Sequence, residues 1–434
     1  MLTLYRWLSL PAWLLLMSVG RLIPRVRENI LARRGWSAAL RQVRAQRGPN
    51  WRPVWIHCAS MGEFEAIRPL ARALRAQGRP VALSFFSTSG PRHLKEGVEA
   101  DWVGYLPFDT PGAARLFLRL LDPAVAVFTK HDLWPNHILA ARSAGVPLLF
   151  VNANFHPRSR LASPWLRRFH RRLLPQFDWI AAVSPAMAER FRELLAGLPV
   201  AVEACGDSRF DRVVERAHES RALERLPRDF LAGPRLVGGS TWEPDEDFLL
   251  PAFAELWRAR PELRLLLVPH EPRDHHLERI GQLLAGLGLA SCRLSALEAG
   301  ETWSGQPVLL VDQVGLLAGL YGSARAAWVG GGFTTGVHSV IEPAAFGLPV
   351  FIGPRHHVSQ EAQDLLACGG AMEIHSLDEA RDWLGRVLAD PALQARMGAA
   401  STALVGSRTG TTARLLERVL ASAARPAPPE VPAA

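Results

Sequence analysis

Residues 54–70 read VWIHCASMGEFEAIRPL: an apolar run stops at a small-residue turn, and Phe64, Ile67, Leu70 and Leu74 then recur at helical spacing. A strand followed at once by an amphipathic helix is the opening of a βαβ unit. The alternation returns down the chain, with PVALSFF, AVAVFT, PLLFVNA and WIAAVS as the next apolar runs. A second series opens at Arg235 with RLVGGST and continues through LRLLLVPH, PVLLVD, ARAAWVGGG and PVFIG. Strands alternating with helices build parallel sheets, and a series that restarts marks a second domain. The expected fold is α/β, with two Rossmann-like doubly wound domains facing a central cleft and an N-terminal membrane-associating helix. Ligands of such sheets sit at the carboxyl ends of the strands.

A chain of 434 residues suits two such domains. The expected division is a basic, apolar segment over 1–50, an N-terminal domain over 51–210, a C-terminal domain over 211–422 and a Pro/Ala-rich disordered tail over 423–434. Nearly half the residues are hydrophobic, enough for a sizeable core. The formal charge of +9 is unevenly placed: residues 1–50 hold nine arginines against the single acid Glu28. Within them lies WLSLPAWLLLMSVG, Trp7 to Gly20, bracketed by Arg6 and Arg21. This run falls short of the roughly 20 residues that cross a bilayer and reads as a membrane-surface anchor. A signal peptide and a buried helix are the competing readings. Basic residues next to an apolar run suit anionic lipid rather than nucleic acid. Cys58, Cys205, Cys292 and Cys368 are far apart with no CxxC pair, which suggests neither a disulfide framework nor a thiolate zinc site.

Glu63 falls in the first turn of the helix after the first strand. It is either a general base or an acid favoured there by free backbone amides. Ser240-Thr241 ends RLVGGST and could meet a phosphate or simply cap the next helix. The stretch WVGGGFTTGVHSVIEPAAFGLPVFIG, which includes Gly332, suits a nucleotide phosphate. In it Glu342 follows Ser339 by three residues, as in a capping box or as a carboxylate gripping a ribose. Asp245, Glu246 and Asp247 resemble a metal-binding DxD but fall in a first turn, and the histidines at 270, 275, 276, 356 and 357 lack a metal-ligand spacing. Lys95 and Lys130 are the two lysines beside 48 arginines; Lys130, at a strand end, offers a compact ammonium. The absence of GxxxxGK[ST], GxSxG and an early GxGxxG argues against a P-loop NTPase, an α/β-hydrolase and a dinucleotide oxidoreductase.

Eleven landmarks then follow in order: LYRWLSLPAWLLL, WIHCASMGEFEAIRPL, STSGPR, PFDTPGAARLFLRLLDP, DLWPNHI, NANFHPRS, GDSRFDRV, GSTWEPDE, LVPHEP, GLLAGLYGSARAAWVGGGF and VHSVIEPAAFGLPVFIGP. Over nearly its full length the chain resembles the Kdo transferases of lipopolysaccharide synthesis. These are membrane-associated GT-B glycosyltransferases that move 3-deoxy-D-manno-octulosonic acid (Kdo) from CMP-Kdo to a lipid A precursor, lipid IVA. The resemblance implies Glu63 as proton acceptor, with Lys130 and Arg209 stabilising the transition state. It also implies a CMP site on Pro269, His270, Val314, Gly315, Leu316, Ser339, Val340, Ile341 and Glu342. No metal or other cofactor is implied, and the implied location is the cytoplasmic face of the bacterial inner membrane. Lys130 stands where the family pattern carries Glu, Arg209 where it carries Lys, Leu316 where it carries an acid and Ser339 where it carries Asn. Asp132 is a candidate for the acid displaced from position 130. The alternatives are another GT-B nucleotide-sugar transferase, an epimerase of similar fold, or a non-catalytic membrane-bound nucleotide-sugar or lipid binder.

Overall fold

The computed structural model describes residues 1–424 apart from 89, 92, 93, 95–98, 131, 155–162 and 220. Parts of STSGPR and NANFHPRS, and the expected tail from residue 425 onward, therefore lie outside the described residues. The chain divides into two compact units, one of residues 1–212 with 409–434 and the other of residues 213–408.

In the first unit the strands are β1 (Val54–Cys58), β2 (Val81–Phe85), β3 (Trp102–Tyr105), β4 (Val125–Thr129), β5 (Leu148–Ala153), β6 (Trp179–Ala182) and β7 (Ala201–Ala204), in the order β3-β2-β1-β4-β5-β6-β7. All neighbours are parallel. The inner strands β1, β2, β4, β5 and β6 are buried along their whole length, the requirement of a sheet covered on both faces. Trp55, Phe117, Phe128, Phe150 and Phe177 pack on one face. Ile56, Phe64, Ile67, Leu70 and Phe85 pack on the other.

The second unit repeats the plan with β8 (Arg235–Thr241), β9 (Arg264–Pro269), β10 (Ser291–Arg293), β11 (Val308–Leu310), β12 (Ala326–Val329), β13 (Val350–Ile352) and β14 (Ala371–Glu373), ordered β10-β11-β9-β8-β12-β13-β14. In each sheet the winding reverses direction once, between β1 and β4 in the first and between β8 and β12 in the second. The carboxyl ends flanking these reversals are where ligands bind in such sheets.

The unit boundary falls between Arg212 and Val213, inside the helix Arg209–Glu219, within two residues of the expected division. One expectation about the domains is corrected. The last helix, Thr411–Ala423, belongs to the first unit. Its Leu415 and Val419 are fully buried in the cluster that holds Ile67 and Leu70, so apolar burial draws it there. Thr411 Oγ1 donates to the Cys205 carbonyl at 3.0 Å, and Gly206 lies so close that a Cβ would meet Thr411 Oγ1 at 2.4 Å.

The N-terminal helix Leu2–Val19 docks by one face. Tyr5 Oη donates to buried Asp109 at 2.9 Å, Ser9 Oγ accepts from Asn136 at 3.2 Å, and Trp13 lies 4.5 Å from Phe108 between ring centroids. By length and composition it could cross a bilayer, yet little of it is buried. Leu4, Trp7, Leu8, Leu14 and Leu15 are exposed.

Candidate active site

In the first unit, the turn after β1 begins a helix at Met61, with Ser60 at the N-cap, and sets Glu63 in the first turn. Glu63 Oε2 accepts from the Ala59 amide at 2.8 Å and from Thr129 Oγ1 at 3.1 Å, across the β1/β4 reversal. One oxygen is thus held by the backbone just before the N-cap. Oε1 accepts no hydrogen bond among the described residues, so the carboxylate is fixed in direction and keeps a free acceptor.

Lys130 follows β4 with φ at +51°, a left-handed backbone uncommon outside glycine. Asn152 and Ser240 share this conformation, each at the carboxyl end of a strand. Such conformations cluster at functional sites. Lys130 Nζ has no hydrogen bond or ion pair among the described residues. Asp132 is engaged by His57, whose Nε2 lies 3.0 Å from Asp132 Oδ2. The His57 ring is fully buried on β1; Trp55 Nε1 donates to Ser84 Oγ, and that hydroxyl sits 2.8 Å from His57 Nδ1. His57 Nδ1 also lies 3.1 Å from the Ser84 carbonyl, so both ring nitrogens have partners. A histidine inside the apolar run VWIHCAS was the sequence signal for this chain, since a buried polar ring needs partners.

Arg209 opens a helix at the end of GDSR. Its Nε donates to Asp207 at 2.8 Å, and its amide donates to the same carboxylate. Asn152 was not singled out from sequence, yet it holds this turn: Nδ2 donates to Ser208 Oγ at 2.7 Å and Oδ1 accepts the Ser208 amide at 3.2 Å. Arg33 is likewise buried, donating to the carbonyls of Phe86 and Leu106 just beyond β2 and β3. Burial pulls its pKa down to about 10.

In the second unit, Ser240 and Thr241 end β8. Thr241 is wholly internal: Oγ1 donates to Glu246 at 3.0 Å and its carbonyl accepts from the His270 amide at 2.9 Å. Its hydroxyl serves the fold, whereas Ser240 Oγ has no partner among the described residues. The glycines after β12 are demanded by packing. A Cβ at Gly330 would stand 2.2 Å from the Ser240 carbonyl oxygen, and one at Gly332 would stand 2.4 Å from the Gly353 amide. The bare face of Gly332 is occupied by its own chain. Gly331 donates to Asp245 Oδ2 at 2.8 Å, as does Trp242 at 2.9 Å. Burial raises the Asp245 pKa to about 6 despite these two donors.

Pro269 ends β9 and His270 follows it. The His270 ring stacks on His338 at 4.1 Å between centroids, and Trp242 Nε1 donates to His338 Nε2 at 2.9 Å. Burial, then His270, lowers the His338 pKa to about 4. Val314 is exposed and Gly315 has φ +91°, which only glycine adopts freely. Leu316 is the N-cap of the short helix Leu317–Leu320.

Of the two readings of Ser339 and Glu342, the capping box does not form. The N-cap of Ile341–Ala345 is Val340 and no side chain caps it, because the helix starts one residue later than the spacing implies. The side chains of Val340 and Ile341 are buried, so they offer only backbone to a ligand, while Ser339 is exposed. Burial raises the Glu342 pKa against Arg216, whose Nη1 lies 3.7 Å from Glu342 Oε1. Arg216 also donates to the Gly315 carbonyl at 3.3 Å, joining the VGL and HSVIE loops. Sequence reasoning missed it; its signal was the placement of Arg209, Arg212 and Arg216 three and four residues apart on one helix face. No group of three His, Cys, Asp or Glu suited to a metal ion occurs among the described residues.

A family model described as 3-deoxy-D-manno-octulosonic-acid transferase (kdotransferase) matches residues 28–212. A 3-deoxy-D-manno-octulosonic acid transferase of Bordetella pertussis is 32% identical over 84% of this chain and 86% of its own length. One from Aquifex aeolicus (strain VF5) is 27% identical over 73% of this chain and 80% of its own. Among solved structures, a UDP-GlcNAc 2-epimerase from Neisseria meningitidis superposes with a TM-score of 0.59 at 14% identity, covering 85% of this chain and 99% of that one. A glycosyltransferase from Rickettsia africae ESF-5 gives 0.54 at 12% identity over 87% and 100%. At those identities the likeness concerns the fold alone.

Proposed function

The chain belongs to the 3-deoxy-D-manno-octulosonic acid transferase family, and on that premise we propose a division of labour for its residues in Kdo transfer during lipopolysaccharide synthesis. The enzyme is a GT-B glycosyltransferase. The donor in this reading is CMP-Kdo, and the acceptor is a lipid A precursor such as lipid IVA.

The observation that carries the assignment is the geometry of Glu63, with one oxygen fixed by Ala59 and Thr129 and the other free. The free oxygen takes the proton of an acceptor primary hydroxyl as that oxygen attacks the anomeric carbon, and the configuration inverts. Lys130 and Arg209 supply positive charge for the carboxylate of Kdo and the departing phosphate. In the second unit, Pro269, His270, the Val314–Leu316 loop and Ser339–Glu342 carry the nucleotide, with Glu342 accepting from the ribose hydroxyls. Ser240 remains a candidate phosphate contact, whereas the internal bond of Thr241 and the packing of Gly332 favour structural roles. No step is assigned to a metal, so transfer in EDTA is expected to match transfer in magnesium.

The exposed apolar face of Leu2–Val19 and the arginines around it support work at the cytoplasmic face of the bacterial inner membrane, where such flanks are retained. The deciding experiment incubates purified protein with CMP-Kdo and tetraacyl lipid A precursor in detergent, following CMP release and the mass of the lipid. A gain of one or more Kdo units is expected. Glu63→Gln should lose about a thousandfold in rate while binding CMP as before. Undiminished transfer by that variant would remove Glu63 from the mechanism.

A further inference from the structure

Leu2–Val19 presents two opposed faces. Tyr5, Ser9 and Trp13, spaced by four, are fastened to Asp109, Asn136 and Phe108. Leu4, Trp7, Leu8, Leu14 and Leu15 lie on the far side and are exposed, Trp7 by 77% and Leu15 by 66%. A helix crossing a bilayer must part from polar structure over its whole length, because hydrocarbon accepts neither unpaired backbone nor buried carboxylates such as Asp109. Here the docked residues span two turns of the helix, and they hold it flat against a unit that cannot enter the membrane.

A second element lies beside it. The helix Pro164–Leu173, PWLRRFHRRL, meets the first through Phe169, 6.0 Å from Tyr5 between ring centroids. Trp165 is 83% exposed. Arg167, Arg168 and Arg172 are exposed and form no ion pair among the described residues. Arg171 differs, donating to the carbonyls of Leu194 and Ala196. Exposed tryptophan with unpaired arginines next to an apolar face is the composition of an interfacial segment.

We propose that Pro164–Leu173 is a second membrane contact, reading the phosphates of an anionic phospholipid surface, and that with it Leu2–Val19 lies in the plane of the membrane rather than across it. The occupant follows from charge complementarity: three exposed cations, unpaired among the described residues, lie on the helix that meets Leu2–Val19 through Phe169 and Tyr5. The inference rests on the reading that the enzyme works at a membrane, and its deciding readout is vesicle binding, with transfer as a control.

The test uses full-length protein and sedimentation with phosphatidylcholine vesicles, with and without phosphatidylglycerol. Wild type should bind the anionic vesicles far more tightly than the neutral ones. Replacing Arg167, Arg168 and Arg172 together by Gln should weaken anionic binding on the order of a hundredfold, and Trp165→Ser should weaken both kinds. Transfer to a detergent-dispersed acceptor should persist in each variant, which also certifies the fold. Should the triple variant fail to fold, Arg168→Gln alone should show a severalfold loss. In a Cys368→Ser background, a fluorophore on cysteine at position 8 or 15, about 10 Å apart along the helix, should report equal, shallow depth against brominated lipids. Anionic binding unchanged by the arginine variants, or a fluorophore at 15 near the bilayer centre, would overturn the proposal. Absence of transfer by the wild-type protein, with its vesicle binding as expected, would instead count against the catalytic reading.

Discussion

Lys130 combines a left-handed backbone with an ammonium unpartnered among the described residues, so it contributes little to the fold. Lys130→Met is expected to change stability by less than about 0.5 kcal/mol and to slow transfer on the order of a hundredfold, as read from melting and CMP release. Thr129 acts through Glu63, so Thr129→Val should lower kcat about tenfold and leave the donor KM unchanged. His338 offers a pH test. Its pKa in the fold, about 4, lies below the ordinary 6.5. The unfolded chain therefore binds the extra proton between those values, and this group's contribution to stability is lost as pH falls from 6.5 toward 4. Asp245 slopes the other way, since at about 6 against 3.8 the folded state holds the proton. The readout is accordingly the melting difference between wild type and His338→Asn: the variant should lose less stability than wild type between pH 7 and pH 5.

At the scale of elements, Gly330, just past β12, is packed directly against the main chain at the end of β8. Gly330→Ala sets a Cβ against the Ser240 carbonyl and the Thr241 Cα, main-chain atoms that cannot step aside. It should cost about 3 kcal/mol and weaken CMP binding through the same strand ends, measurable by denaturant melts and titration. The strands legible in the sequence, among them VWIHCAS, AVAVFT and LRLLLVPH, are those whose burial on both faces forces a continuous apolar run. The ones that escaped reading, β3, β7, β10 and β14, are the four sheet edges. An edge strand is partly open to solvent, and AVEA of β7 and SCR of β10 carry charge accordingly. The site divides similarly. Glu63 stands out as an acid just past a strand end and Glu342 as an acid closing a glycine-rich loop, whereas Asn152, His57 and Arg216 matter through partners 56, 75 and 126 residues away, which spacing along the chain does not reveal.

At the scale of the whole molecule, the first unit is assembled from both ends of the chain and the second is continuous. Residues 213–408 expressed alone should fold cooperatively and bind CMP. Residues 1–212 alone should lack the cover supplied by Leu415 and Val419 and expose apolar surface. Adding residues 409–424 as a separate peptide, or joining them by a linker, should restore a sharp melting transition, with loss of fluorescence from a dye that binds apolar surface as the measure.

The return of Thr411–Ala423 to the sheet begun at Val54 also sets a schedule for synthesis. The first half leaves the ribosome with the groove over Ile67 and Leu70 still open, and no later residue closes it until the last helix emerges. The second half, complete within its own stretch, can fold while the first still waits. The nascent protein therefore passes through a state in which that apolar groove is made but not yet filled, the kind of exposed surface that chaperones shield.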